Sequence, residues 1–415
     1  VIILHISTRL ILGGSQENTV LSCEGQSRLG HQVHLAFGPI YGPEGSLLAR
    51  VQQFRTPDGR SITTHTVPDL IREVNPSRDL RCLRQLGHLI ESIRPDVIHT
   101  HSSKAGILGR LAGWSVYRRS RRREGPARAF PAVIHTVHGP PFMPIEGPLV
   151  RRLKTRVNNA IYQIAERHAA RRCHAIVCVA DEMTRQFLAR GIGSRELYTT
   201  VRSGMDTGPY LNPPEADSRE NVRAELGIGP GDFVIGTVAR LAEHKGHDDL
   251  IDALAPELQQ RREWKLLWVG DGWWRERLLA RVRSLGLEGQ VLTTGLVPPE
   301  RVPALIRAMD VLAHPSYREG LPRTVPQALL SDVCPVAYDV DGTREACVHR
   351  ETGLLAPFGD RAALHAAILE LYRDPDLRRR LAAEGKVRCA TSFSAEAMVQ
   401  GLETVYSRAL ATARR

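Results

Sequence analysis

Short apolar runs that end in turn residues alternate with helical stretches along almost the whole chain, and the alternation occurs twice. In the first half the runs are Val1–Ser7, His31–Phe37, Pro95–Ser103, Ala132–Gly139 and Ala175–Ala180. In the second half they are Phe233–Ala239, Trp264–Val269, Val291–Thr294, Val311–His314 and Cys334–Ala337. These runs are continuously apolar rather than alternating with polar residues, which is the pattern of strands buried on both faces by crossover helices. Strands regularly separated by helices predict doubly wound parallel sheets, an α/β fold. At 415 residues the chain is too long for one core and suits two. The segment 208–232, rich in Pro, Gly and charge, marks the boundary. The expected domains are therefore 1–212 and 213–394, facing a central cleft. A helical pattern over 395–415, after the N-cap residue Ser394, is free to pack back onto the first domain.

Composition narrows the class. Hydrophobic residues make up 42% and charged residues 24%, as in ordinary globular proteins. No apolar run is long enough to span a bilayer, and no signal-peptide pattern is present. The chain opens inside a strand and without Met, so an initiating residue and a few others are expected to precede it. Seven scattered cysteines with no C-x-x-C pair fit a reducing cytosol. The net charge of +11 is unevenly spread: residues 1–212 hold 29 basic against 16 acidic side chains, the remainder 27 against 29. Five of the six residues from Arg118 to Arg123 are arginine (Arg118, Arg119, Arg121, Arg122, Arg123), and Arg151, Arg152, Lys154 and Arg156 form a second cluster. An excess of this kind suits nucleic acid, an anionic membrane surface or a phosphorylated substrate, or is a solvated face.

Several stretches carry the residue types of a binding site. In HPSYREGLPRTVPQALL (His314–Leu330) an apolar strand runs into a turn bearing one acid, Glu319, expected on the surface, and then opens a helix near Gly320 with Pro322 in its first turn. An acid at a strand's carboxyl end beside a helix N-terminus combines hydroxyl with phosphate recognition. Sugar plus diphosphate is the simplest ligand needing both. The first crossover carries Gly13-Gly14 before a helix over about Ser15–Leu29, a turn that lets backbone approach a phosphate or is simply a tight turn. Two strands end in paired histidines, placing His99, His101, His135 and His138 at the edge of one sheet. A metal site is disfavoured, since no Asp, Glu or Cys stands beside them at ligand spacing. A catalytic or substrate-binding role remains, with His138 the first candidate. A helix from Pro148 to Arg172 lays Leu149, Leu153, Val157, Ile161, Ile164 and His168 along one stripe. Arg240 and Lys245 in GTVARLAEHKG follow a strand, and a guanidinium fork with an ammonium five residues on suits a diphosphate.

With these motifs in this order, together with GG-x-Q-E, HTVHG, SGMD, VGDG, TGLVPPERVPALI and PVAYDVDGTREACVHRETGLLAPFGD, the chain resembles glycosyltransferase family 4 over nearly its whole length. Enzymes of that family have the GT-B fold, two Rossmann-like domains, and transfer sugar from a nucleotide-sugar with retention. The resemblance implies that Gly13 and Gly14 meet the distal phosphate and that Arg240 and Lys245 clamp the diphosphate. It also implies that Glu319 binds donor-sugar hydroxyls, with Gly320 and Leu321 beside it in the donor site and the helix N-terminus near Gly320 aimed at the diphosphate, and that His138 is the active-site histidine. The family's second acid, eight residues after the first, is here Gln327, which retains hydrogen-bonding capacity toward a ribose but no charge. Asp341-Gly342 stands for the usual Gly-Gly, and Ser203 for an Asn. No metal or other cofactor is expected, because cationic side chains neutralise the leaving group.

HTHSSKAGILGRLAG followed by HTVHG is most similar to family members that extend cell-surface polysaccharides, often on polyprenyl-diphosphate carriers. Two other functions remain open from the sequence: a GT-B sugar-nucleotide epimerase, and a basic nucleic-acid-binding protein. The latter is disfavoured by an aromatic content of 5% and by Arg clusters without interleaved aromatics. Because the helix dipole disfavours cations at its N-terminus, Arg151, Arg152 and Lys154 predict an anionic neighbour. A membrane surface that also presents a lipid-linked acceptor supplies one, so a cytoplasmic, peripherally bound enzyme is expected.

Overall fold

The computed structural model describes residues 1–40, 45–128, 130–140, 142–143 and 148–415. The second of the two prolines after Gly139 lies outside them. The chain forms two compact units, residues 1–205 with 395–415, and residues 206–394.

The first unit is built on a seven-stranded parallel sheet: β1 (Ile2–Ser7), β2 (Gln32–Phe37), β3 (Ile62–Thr66), β4 (Val97–His101), β5 (Ala132–Val137), β6 (Ala175–Cys178) and β7 (Tyr198–Thr200). Their order is β3-β2-β1-β4-β5-β6-β7. The expected strands are present; β3 and β7 are additional. β3 reads ITTHT and is only partly buried, so it lacks the apolar run that announces the others. The opening helix, Gly14–Arg28, follows β1 directly. The C-terminal helix, Ala395–Ala413, buries Met398, Leu402, Val405 and Tyr406 against Ile3, Val97, Ile134 and Val177 of this unit.

The second unit carries six parallel strands: β8 (Phe233–Val238), β9 (Trp264–Val269), β10 (Val291–Gly295), β11 (Val311–His314), β12 (Cys334–Tyr338) and β13 (Leu354–Ala356), in the order β10-β9-β8-β11-β12-β13. Segment 208–232 is packed structure of this unit rather than a bare linker. Val222 is buried, and Arg219 and Arg223 converge on the Asp310 carboxylate at 2.7 and 2.6 Å. The chain passes between units at Met205–Asp206, a few residues before the boundary its composition suggests.

Both sheets reverse direction of winding once, between β1 and β4 in the first unit and between β8 and β11 in the second. The carboxyl ends of strands flanking such a reversal leave a crevice, because the crossovers on its two sides lead away in opposite directions. Among the described residues no helix is long and apolar enough to cross a membrane. All seven cysteines are buried free thiols.

Candidate active site

In the second unit the crevice between β8 and β11 collects the charged candidates. Arg240 and Lys245 lie in the loop after β8, and Glu319 in the loop after β11. The two loops touch: Tyr317 N–H donates to the His244 carbonyl at 2.8 Å and the Ser316 hydroxyl to the same oxygen at 3.2 Å. Gly246 is what permits the contact. Its φ is +71°, and a Cβ there would stand 1.9 Å from the Pro315 carbonyl oxygen.

The acid is not on the surface, as its turn suggested. Its side chain is 13% exposed, and Oε1 receives Lys245 Nζ at 2.6 Å and His314 Nε2 at 3.1 Å. The Thr324 hydroxyl donates to the other ring nitrogen of His314 at 3.2 Å, which keeps the Nε2 proton facing the acid. Burial pushes the Glu319 carboxyl up, but the Lys245 charge and the His314 hydrogen bond outweigh it and hold the group well below the usual carboxylate range. Glu319 Oε2 has no partner among the described residues, which leaves an ionised acceptor for hydroxyl groups.

The helix after Glu319 starts later than its sequence suggested. It spans Thr324–Leu330, so Pro326 rather than Pro322 occupies the first turn, and Gly320 is not at a helix N-terminus. Leu321, 7% exposed, draws the intervening turn inward, and the Glu319 N–H is spent on Asp341 Oδ2 at 2.9 Å. Val325, Ala328 and Leu329 form the buried side, and Gln327 is half-buried on this helix. Arg240 is exposed, with its guanidinium carbon 5.5 Å from the Trp273 ring centroid. His314 and Trp273 were not anticipated. A histidine closing an otherwise apolar strand was the only available signal for the first, and none marked the second.

In the first unit the crevice between β1 and β4 holds a group of histidines. His5 Nδ1 is 2.9 Å from His101 Nε2, and His101 Nδ1 is 3.0 Å from His138 Nε2. His99 lies beside them, bonded to the Tyr406 hydroxyl and to Thr136 Oγ1, both at 2.6 Å. Strand alternation sends His135 to the opposite face, where it meets Thr100 and the helix Ser103–Glu124 near Gly106. Only three of the four expected histidines therefore come together, and His5 joins them. Nitrogens of His5, His99 and His101 lie within 4.8 Å of one another, a spacing that a metal tolerates. Every ring nitrogen of the three is already hydrogen-bonded, so a metal would have to displace that network. Gly13 caps the opening helix and Gly14 begins it. With φ near 174°, Gly13 is extended backbone that needs no glycine.

The stripe Leu149, Leu153, Val157, Ile161 and Ile164 forms on the helix Leu149–Ala170 but does not face the core: these residues are 50–78% exposed. The core takes only the far end, where Glu166, Ala169 and Ala170 are buried. Glu166 there accepts both Arg110 and the Tyr162 hydroxyl.

Two parallel-sheet units, each with polar residues gathered at its switch point and a lysine–glutamate pair in the second, define the architecture of the GT-B sugar transferases. Family models agree: Glycosyltransferase Family 4 matches residues 12–208, and Glycosyl transferases group 1 matches residues 218–388. The chain belongs to the glycosyltransferases composed of these two domains. It is 26% identical over 332 residues to EpsD, a glycosyltransferase-family protein of Bacillus subtilis, covering 80% of this chain and 81% of that one. It is 25% identical over 326 residues, 76% of each chain, to the Escherichia coli UDP-Gal:alpha-D-GlcNAc-diphosphoundecaprenol alpha-1,3-galactosyltransferase. The fold matches that of Anabaena Alr3699/HepE in complex with UDP-glucose, with a TM-score of 0.75 and 21% identity over 98% of this chain and 99% of that one. The protein is a glycosyltransferase, and the epimerase alternative is set aside because both matched families and the relatives are transferases.

Proposed function

We propose that the enzyme moves a hexosyl or N-acetylhexosaminyl group from a nucleoside-diphosphate sugar, with retention, to a glycan or polyprenyl-diphosphate-linked acceptor in cell-surface polysaccharide synthesis. The ionised Glu319 held by Lys245 at the switch point of the second sheet carries this reading, since it combines a hydroxyl acceptor with a phosphate-binding cation. Arg240 and Lys245 clamp the diphosphate, with Gly13 and Gly14 addressing the distal phosphate. Glu319, Gly320 and Leu321 hold the sugar, Gln327 the ribose, and His138 lies by the reacting sugar. The bond between the anomeric carbon and the diphosphate oxygen breaks, and a bond to the acceptor oxygen forms on the same face. The acceptor proton passes to the departing phosphate. The cations stabilise the charge that develops there, so no metal cofactor is needed. The donor and acceptor named for the Escherichia coli relative and the ligand of the Anabaena structure support a nucleotide-sugar and a lipid-linked acceptor. Thermal-shift screening against UDP-, GDP- and ADP-sugars tests this: one nucleotide class should raise the Tm by mass action, and Glu319→Gln should lower transfer on the order of a hundredfold. Conversion of the nucleotide-sugar without acceptor would revive the epimerase.

We propose further that the first unit docks on an anionic membrane at the cytoplasmic face. The helix Leu149–Ala170 presents its exposed apolar stripe beside Arg151, Arg152, Lys154 and Arg156, and residues 149–165 contain no acid. An exposed apolar stripe flanked only by cations suits a bed of anionic headgroups over acyl chains. Arg118, Arg122 and Arg123 are also without ion pairs among the described residues. Arg119 pairs with Glu91 and Arg121 bonds the Ala413 and Arg415 carbonyls, so these two contribute less. The expected result is co-sedimentation with phosphatidylglycerol vesicles that weakens with salt and is lost in Leu153→Asp/Ile161→Asp. Binding indifferent to lipid charge and to these substitutions would remove the membrane role.

A further inference from the structure

Behind His138 the first unit carries a file of polar side chains to which the transfer reaction above assigns no task. Gln26 of the opening helix, His5 on β1, His101 at the end of β4 and His138 past the end of β5 are hydrogen-bonded in that order. The separations are 2.7 Å for Gln26 Oε1 to His5 Nε2, 2.9 Å for His5 to His101 and 3.0 Å for His101 to His138. Gln26 and His5 are 0% exposed and His101 1%, so with water excluded each member's donor or acceptor role is dictated by its neighbours.

The direction of the file follows from its blind end. Gln26 Nε2 donates to the Tyr406 hydroxyl at 3.0 Å, which turns Oε1 toward His5. A carboxamide oxygen only accepts, so His5 must carry its proton on Nε2 and offer the Nδ1 lone pair to His101. His101 then donates from Nε2 and accepts at Nδ1, and His138 must donate from Nε2. The remaining nitrogen of His138, Nδ1, bears a lone pair. Burial favours neutral rings at the inner end of the file: desolvation pushes His5 down to about 4 and His101 well below its ordinary value. A second proton on any ring would reverse the tautomers beyond it and leave His138 with a proton on Nδ1, so only the neutral file keeps that nitrogen an acceptor.

We propose that Gln26, His5 and His101 are positioning residues that fix His138 in its Nε2–H tautomer, so that Nδ1 accepts a hydrogen bond from a hydroxyl of the donor sugar or the acceptor. The inference rests on the placement of His138 beside the reacting sugar. Tyr406 extends the device to the C-terminal helix, since it orients Gln26 while its hydroxyl also bonds His99.

The file is tested first without substitution. In protein carrying 15N-histidine, with the His138 signals identified by their loss in His138→Asn, long-range proton–nitrogen correlation reads the tautomer directly. His138 is expected as the neutral Nε2–H form at pH 7; the Nδ1–H form, or an average of the two, overturns the proposal. Two variants then separate positioning from space-filling. Gln26→Glu keeps an acceptor for His5 and should retain both the tautomer and kcat. Gln26→Leu removes it and should average the tautomers and lower kcat about tenfold with donor KM little changed. If Gln26 only fills space, Leu is silent and Glu is damaging, and the proposal fails. Full activity in His138→Asn would instead sink the site assignment, leaving the tautomer measurement to decide the file by itself.

Discussion

At the scale of single residues, Glu319 shows how environment turns an ordinary carboxylate into a binding group. Its Lys245 and His314 partners hold it well below the usual carboxylate range, so it should contribute no acid limb to kcat/KM between pH 5 and 9. Glu319→Gln preserves shape and removes charge. Its kcat/KM should fall on the order of a hundredfold while the circular dichroism spectrum is unchanged, and near-normal turnover would refute its assignment. Arg240→Ala and Lys245→Ala should each lower kcat/KM steeply, with a combined loss smaller than the product of the two. Groups acting on one diphosphate are not independent, and a double-mutant cycle reads the coupling. Gln327→Glu should change nucleotide Kd rather than the chemical step, which calorimetric titration separates from single-turnover rates. The Glu319 and Lys245 candidates were legible in the sequence because a charged residue just past an apolar strand is visible as text. His5 was not singled out, because one polar residue inside VIILHIS looks like any strand interruption until β4 is beside it.

At the scale of elements, the helix Leu149–Ala170 is held at one end and exposed along most of its length. Its anchor is the wholly buried Arg110–Glu166 pair, with Arg110 Nη2 at 2.8 and 2.7 Å from the two carboxylate oxygens. Removing one partner leaves an uncompensated buried charge, so Arg110→Met should destabilise the first unit by about 3–5 kcal/mol in urea denaturation. Arg110→Met/Glu166→Leu should recover most of the loss, because replacing a buried pair by apolar groups avoids the desolvation cost altogether. Equal losses in single and double variants would mean that packing, not charge, is what the pair supplies. The spacing of the apolar residues located this helix and its stripe correctly. Spacing is silent on whether a stripe meets a core, since that depends on what the rest of the fold brings against it.

At the scale of the whole molecule, the two units should respond differently to acid. In the first, burial holds His5 and His174 down at about 4 and His99, His101 and His135 well below the ordinary value. An unfolded histidine titrates near 6.5, so each contributes stability that is fully present above that pH and is lost as pH falls through 6.5 toward the folded value. For His5 alone the loss by pH 4 is about 3 kcal/mol. The second unit has His247 at about 4 and His244 lowered less. Scanning calorimetry from pH 7.5 to 5 should move the transition of the first unit down further than that of the second. A matched nucleotide-sugar should raise chiefly the second. Parallel shifts of both transitions would argue that the histidine file is hydrated and titrates normally.

The sequence by itself determined the α/β class, the two repeated sheets, most strand positions and the residues bearing charge at strand ends. All of these follow from local periodicity and from the rule that a parallel strand is apolar on both faces. Tertiary structure alone decided which of these residues meet. The pairing of β1 with β4 puts His5 against His101, although 96 residues separate them, and the return of the C-terminal helix sets Tyr406 on Gln26 across 380. It also decided that Glu319 is enclosed and ionised, that the following helix begins at Thr324, and that an apolar stripe faces outward. Burial, desolvation and hydrogen-bond direction are properties of what surrounds a side chain in space, and chain neighbours supply only a small part of those surroundings.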